Sequence, residues 1–129
     1  VSLELTYGLE RLAMFIQEVD SVFDIVWNQS GITYADLFKN SEKQLSSYNF
    51  QYASEKYLLE SFASYEKKSQ ELIETNLPIP AYELCIKASH SFNLLDSRGL
   101  ISVSERQAYI LRIRSLVQKC CKLVCESYE

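Results

Sequence analysis

The stretch Leu3-Glu-Leu-Thr-Tyr-Gly-Leu-Glu-Arg-Leu-Ala-Met-Phe-Ile-Gln17 changes its period halfway along. From Val1 to Thr6 the residues alternate Val, Ser, Leu, Glu, Leu, Thr, the period-2 pattern of a half-buried strand. Leu9, Leu12, Ala13, Phe15 and Ile16 then recur at helical spacing, so Tyr7-Gly8 is the expected junction between strand and helix. Gly8 permits a backbone angle or a close approach that a side chain would obstruct. Glu10 and Arg11 follow on the first helical turn, where an arginine can present a planar, permanently charged fork to a phosphate or carboxylate. Strand, glycine and helix occur together in many folds, and a purely structural junction is the commoner outcome.

Outward from this stretch the chain reads as helical support. Asp20 is expected to cap a short helix carrying Val22, Phe23, Ile25, Val26 and Trp27, ended by the Asn28-Gln29-Ser30-Gly31 turn, with Trp27 as a core anchor. Thr33 opens a second helical pattern with Asp36 near its positive end. Tyr48-Asn49-Phe50-Gln51-Tyr52 interrupts it; three aromatics in five residues suit helix packing better than base stacking. Ser54 to Glu74 is a long amphipathic run that stops at Leu77-Pro78-Ile79-Pro80.

Pro80 begins the next helix, with Ala81, Leu84, Cys85, Ala88, Phe92 and Leu95 on one apolar face. His90, the sole histidine, has no neighbouring nucleophile and is read as a structural residue at a helix junction. Ser102-Val103-Ser104-Glu105 is a capping box. The helix it opens carries a seam of Val103, Ile110, Ile113, Val117, Cys120 and Val124, whose expected partner is the Pro80 helix folded back as a hairpin. Arg106, Arg112, Arg114, Lys119 and Lys122 outnumber Glu105, Glu126 and Glu129 along it. Such a strip can hold a phosphate backbone, although a solvated face is more common.

The composition sets bounds on function. The 129 residues, 47% hydrophobic and 23% charged, suit one modest soluble core. A net charge of -4 argues against a chain-wide basic surface for nucleic acid, but not against a local one. The four cysteines, Cys85, Cys120, Cys121 and Cys125, include no Cys-x-x-Cys pair and read as free thiols of a reducing cytoplasm, with no metal site expected. No apolar run reaches the roughly 18 to 20 residues of a membrane span. The chain starts on valine inside an apparent strand and is read as part of a longer protein.

Several stretches together resemble the alpha subunit of bacterial glycyl-tRNA synthetase of the tetrameric or alpha-beta fused type, over essentially the whole chain. They are Thr6-Tyr7-Gly8-Leu9-Glu10-Arg11-Leu12-Ala13-Met14, Val19-Asp20-Ser21-Val22-Phe23-Asp24, Tyr48-Asn49-Phe50, His90-Ser91-Phe92-Asn93-Leu94-Leu95-Asp96, Ser102-Val103-Ser104-Glu105-Arg106-Gln107 and Tyr109-Ile110-Leu111-Arg112-Ile113-Arg114. The resemblance implies a cytoplasmic class II aminoacyl-tRNA synthetase that activates glycine with ATP and magnesium and transfers it to tRNA(Gly). It also implies a beta subunit or beta region and an alpha-alpha homodimer as partners.

Gly8-Leu9-Glu10-Arg11 looks like the third class II motif. On that reading Arg11 is the catalytic ligand of the ATP gamma phosphate, Gly8 gives room to the adenine end, and Glu10 orients the site. Residues 1–30 become the end of the catalytic domain, one strand and one helix, and residues 31–129 a helical C-terminal domain. The expected fold is therefore mainly α, a bundle of four to five helices behind that strand and helix. Arg106, Arg112 and Arg114 are the candidate tRNA contacts. The first two class II motifs are expected before Val1, so the chain alone is expected to be inactive. The alternative is a non-catalytic helical module that binds the beta region or tRNA.

Overall fold

A computed structural model describes residues 3–127 of the chain. Its architecture is mainly helical, and among the described residues there is no strand, only an isolated antiparallel bridge between Val26 and Thr33. The chain divides into two compact units, one running to Tyr48 and one from Asn49.

The first unit contains α1 (Leu9–Gln17), a single 3-10 turn (Val22–Asp24), a wide π-type turn (Ala35–Lys39) and α2 (Asn40–Ser47). The expected opening strand does not form: Leu3 to Tyr7 lie outside any regular element, and Val1 and Ser2 lie outside the described residues. A strand exists only through hydrogen bonds to a neighbour, and among the described residues Leu3 to Tyr7 have no pairing partner. Helix α1 starts where the sequence indicated, behind Gly8. It ends on Glu18 in the left-handed region, φ 54°, with Val19 N–H donating to Met14 O at 3.1 Å.

The helix expected over Val22 to Trp27 is corrected. Ser21, not Asp20, caps the 3-10 turn, its Oγ accepting from Phe23 N–H at 3.2 Å. Ile25 to Trp27 then run extended against Ile32 to Tyr34: Trp27 N–H donates to Ile32 O at 2.7 Å, and Tyr34 N–H to Ile25 O at 2.8 Å. The branched and aromatic residues of Ile25-Val26-Trp27 and Ile32-Thr33-Tyr34 favour an extended backbone, and Asn28 to Gly31 turn it. Gly31 sits at φ 78°, and Asn28 Oδ1 accepts from Ser30 and Ile32 N–H. The next helical segment opens at Thr33 as expected, and Thr33 and Asp36 bond reciprocally there, with bonds of 2.8 and 3.2 Å between side chains and backbone amides. Trp27 is no core anchor: it is 57% exposed and packs beside Tyr34 and Phe38 at ring distances of 6.1 and 5.6 Å.

The second unit is an antiparallel three-helix bundle of α3 (Glu55–Glu74), α4 (Pro78–Ser97) and α5 (Val103–Glu126). Its boundaries follow local chemistry. Ser54 Oγ caps α3 by accepting from Tyr57 N–H at 3.1 Å, and Pro78 opens α4. Ser102 and Glu105 complete the capping box of α5.

Small residues on α4, Ala81, Cys85 and Ala88, let α3 and α5 approach closely, and all three are buried. Ile73, Leu116 and Cys120 pack at one end, and Phe62 with Phe92 in the middle. Leu58 with Leu94 and Leu95 closes the other end. Ser69, fully buried, satisfies its hydroxyl by donating to Ala81 O at 2.8 Å. The α5 seam lies on Ile113, Leu116, Val117 and Cys120, and Val103, expected in it, is 80% exposed. As the first residue of α5, Val103 precedes the turns that meet α4. The aromatics Phe50 and Tyr52 are 51% and 76% exposed, and His90 on α4 is exposed as well.

Candidate functional site

The predicted site residues Gly8, Glu10 and Arg11 are brought together at the start of α1. Gly8 is the residue before the helix, at φ −68° and ψ 119°, a conformation open to any residue. A Cβ built there would meet only the flexible stem of Arg11, at 3.9 and 4.0 Å. The glycine is therefore not required by the backbone, and what it leaves is open space beside Arg11. Glu10 and Arg11 are both exposed on the first turn, and Arg11 has no ion pair among the described residues. A guanidinium held on a helix without an acidic partner keeps all its donors for a ligand.

Beside these residues, the first unit carries a cavity of about 340 Å³ between α1 and the hairpin. Leu9, Glu10, Ala13 and Gln17 form its helical wall; Ile25, Val26, Trp27 and Tyr34 form the other. Glu10 supplies the carboxylate of an otherwise neutral lining. The sequence reading missed the second wall because it placed Ile25 to Trp27 in a helix.

Gln17, the last residue of α1, was also missed. Its carboxamide makes both hydrogen bonds of a peptide group with Val26: Val26 N–H donates to Oε1 at 2.7 Å, and Nε2 donates to Val26 O at 3.0 Å. Val26 has its backbone groups free for this because its neighbours Ile25 and Trp27 make the hairpin's bonds on the other edge. Nothing in the sequence signals a side-chain contact nine residues away.

The three candidate arginines of α5 do not form one open cationic patch. Arg106 pairs with Asp96 at 2.9 Å. Arg112 makes a two-pronged pair with Glu66 of α3, Nε to Oε1 at 2.7 Å and Nη2 to Oε2, and its guanidinium lies over the rings of Phe62 and Tyr109 at 4.6 and 5.0 Å. The bond to Glu66 holds the Arg112 guanidinium above its usual pKa. Lys119 donates to Gln70 Oε1 at 2.9 Å, and Lys122 lies 3.7 Å from Glu126. Arg114 is exposed, with no ion pair among the described residues; Glu129, set against this strip in the sequence, lies outside them. The groove of about 700 Å³ between α3 and α5 is lined by both signs of charge and is spanned by these same bonds.

Among the described residues no group of three or more His, Cys, Asp or Glu side chains is placed to hold a metal ion. No helix among them is long and apolar enough to cross a membrane.

The match of a family model over the whole chain defines the class of protein, an aminoacyl-tRNA synthetase. The chain belongs to the glycyl-tRNA synthetase alpha subunit family, whose model matches residues 1–129, the whole chain. Membership carries a tRNA synthetase role, with glycine and tRNA as the substrates of the family and a beta subunit as partner in its bacterial types.

Proposed function

We propose that this chain supplies the arginine that holds the terminal phosphate of ATP while glycine is activated, in the manner of the third motif of a class II synthetase. In that reaction the glycine carboxylate attacks the α phosphorus of ATP. A carboxylate–phosphorus bond forms, the bridge to the β phosphate breaks, and glycyl-adenylate and pyrophosphate result. The adenylate then passes its glycyl group to the terminal ribose of tRNA(Gly).

The observation that supports this is Arg11 itself: exposed, on the first turn of a helix, beside the space left by Gly8, and free of acidic partners among the described residues. Its two-pronged donor set matches a phosphate, and its charge offsets that of the γ phosphate and of the departing pyrophosphate. Glu10, one residue before it, orients the site by hydrogen bonding. Magnesium arrives with the ATP phosphates, and no residue of this chain is assigned to it.

In this reading residues 1–30 are the end of a catalytic domain, 31–129 a helical appendage, and the assembled enzyme is cytoplasmic with paired alpha subunits. One arginine on one helix does not preorganise a transition state, so the chain by itself gives no exchange activity. The test is glycine-dependent ATP–pyrophosphate exchange by the assembled synthetase carrying Arg11→Ala. The ATP KM rises by about tenfold or more, the loss of a charge-assisted phosphate contact, while the glycine KM holds. An unchanged ATP KM overturns the reading.

A second reading, a helical module that binds the beta subunit, is favoured by the exposed aromatics Phe50, Tyr52 and Tyr57 of the second unit. It calls for association with the beta subunit that resists salt and weakens on Tyr52→Ala and Tyr57→Ala. If the module instead holds tRNA, affinity falls steeply with salt and depends on Arg114, the one of the three candidate arginines with no ion pair among the described residues.

A further inference from the structure

We infer that Gln17 is a positioning residue for Arg11, fixing α1 against the hairpin through the backbone of Val26; this rests on the assignment of Arg11 as the ATP ligand. In a two-stranded hairpin alternate residues direct their backbone groups inward to the partner and outward to an empty edge. Ile25 and Trp27 face Tyr34 and Ile32, so Val26 faces outward. Gln17 fills that edge as a third strand would, its Oε1 taking the amide of Val26 at 2.7 Å and its Nε2 giving to the carbonyl at 3.0 Å.

The two bonds act at a strategic place. Gln17 closes α1, six residues and about 9 Å of helical rise beyond Arg11 on its first turn. The chain after Gln17 turns away through the left-handed Glu18, so the α1 helix stops there. Elsewhere α1 and the hairpin face each other across the cavity, whose lining is apolar and non-directional apart from Glu10 and the Tyr34 ring. A paired carboxamide, by contrast, is directional and favours the orientation of α1 that satisfies both bonds. Rotation about the helix axis swings Arg11 most, because its guanidinium stands at the end of a long side chain.

The test uses the assembled synthetase, with Gln17→Met, which keeps length and removes both bonds, and Gln17→Glu, which keeps the acceptor for Val26 N–H and loses the donor. The expected result is an ATP KM raised about tenfold by Gln17→Met and less by Gln17→Glu, with the glycine KM within twofold. In an Arg11→Ala background Gln17→Met adds no further rise, because the two residues act through one contact. The inference is overturned if Gln17→Met leaves the ATP KM unchanged, raises both KM values alike, or adds its full effect to Arg11→Ala. If Gln17→Met does not fold, Gln17→Glu is read by the same criteria. Should Arg11→Ala itself leave the ATP KM untouched, the assignment of Arg11 fails; should Arg11→Ala raise it and Gln17→Met not, only the role of Gln17 fails.

Discussion

Arg112 grips Glu66 across the α3–α5 interface with two parallel hydrogen bonds, and its guanidinium is laid over the rings of Phe62 and Tyr109. One of the three arginines named as candidate tRNA contacts is thus a strut of the helical bundle. Arg112→Ala is expected to lower the unfolding free energy by about 1–2 kcal/mol, the sum of a partly exposed ion pair and its stacking on aromatic rings. Arg112→Lys recovers less than half, since a lysine cannot make the fork. Urea titration followed by helical circular dichroism checks both. A loss of tRNA affinity in Arg112→Ala without a loss of stability would return the residue to the binding surface.

The α5 seam gives a sharper contrast. Leu116 is 4% exposed and Val103 is 80% exposed. Leu116→Ala is expected to cost about 2–4 kcal/mol through the cavity it leaves among Ile73, Ala81 and Cys85. Val103→Ala should stay within about 0.5 kcal/mol. A larger loss at Val103 than at Leu116 would mean that the seam is the one read from spacing alone.

Local signals in the sequence carried most helix starts in both units and failed where pairing between distant segments decides the structure. Ser54 and the Ser102–Glu105 pair mark helix starts through bonds made within three residues, so they are readable without knowledge of the fold, whereas α4 opens at Pro78, two residues ahead of the expected Pro80. The Ile25-to-Tyr34 hairpin was misread because Val22, Phe23, Ile25 and Val26 also fit a buried helix, and only pairing with Ile32 to Tyr34 separates the two. Leu116 escaped because a strict 3-4 count runs from Ile113 to Val117. Of the candidate site, Gly8, Glu10 and Arg11 were legible at a change of period; Gln17 and the hairpin wall were not, since both depend on contacts between residues distant in the chain.

Acid should weaken both units through their helix starts. Bonds from Ser102 hold the Glu105 carboxyl below its ordinary pKa, and bonds from Thr33 do the same for Asp36. A carboxyl with a lowered folded pKa contributes stability that is fully present above its unfolded pKa, about 4.3 for Glu, and is lost as pH falls through the folded value. The urea midpoint is therefore expected to decline below about pH 4.5 and to decline less in Glu105→Gln, whose neutral side chain does not titrate. A pH profile for Glu105→Gln parallel to that of the parent would refute the contribution.

The four thiols should divide by burial. Cys121 and Cys125 are exposed, and Cys85 and Cys120 are buried, where desolvation raises both pKa values and keeps the thiols protonated. Titration of the native chain with an aromatic disulfide reagent is expected to release two equivalents quickly, and the other two only on unfolding. Four fast equivalents would show that the α4–α5 core opens readily.

The claim on which the functional account turns is that Arg11 holds the γ phosphate of ATP, and it is tested most directly by comparing two ligands of the assembled synthetase. One is ATP; the other is a stable glycyl-adenylate analogue, which lacks the β and γ phosphates. Arg11→Ala is expected to weaken ATP about tenfold or more and to leave the analogue within twofold, because only ATP carries the group the arginine meets. Equal weakening of both ligands, or of neither, would contradict the account.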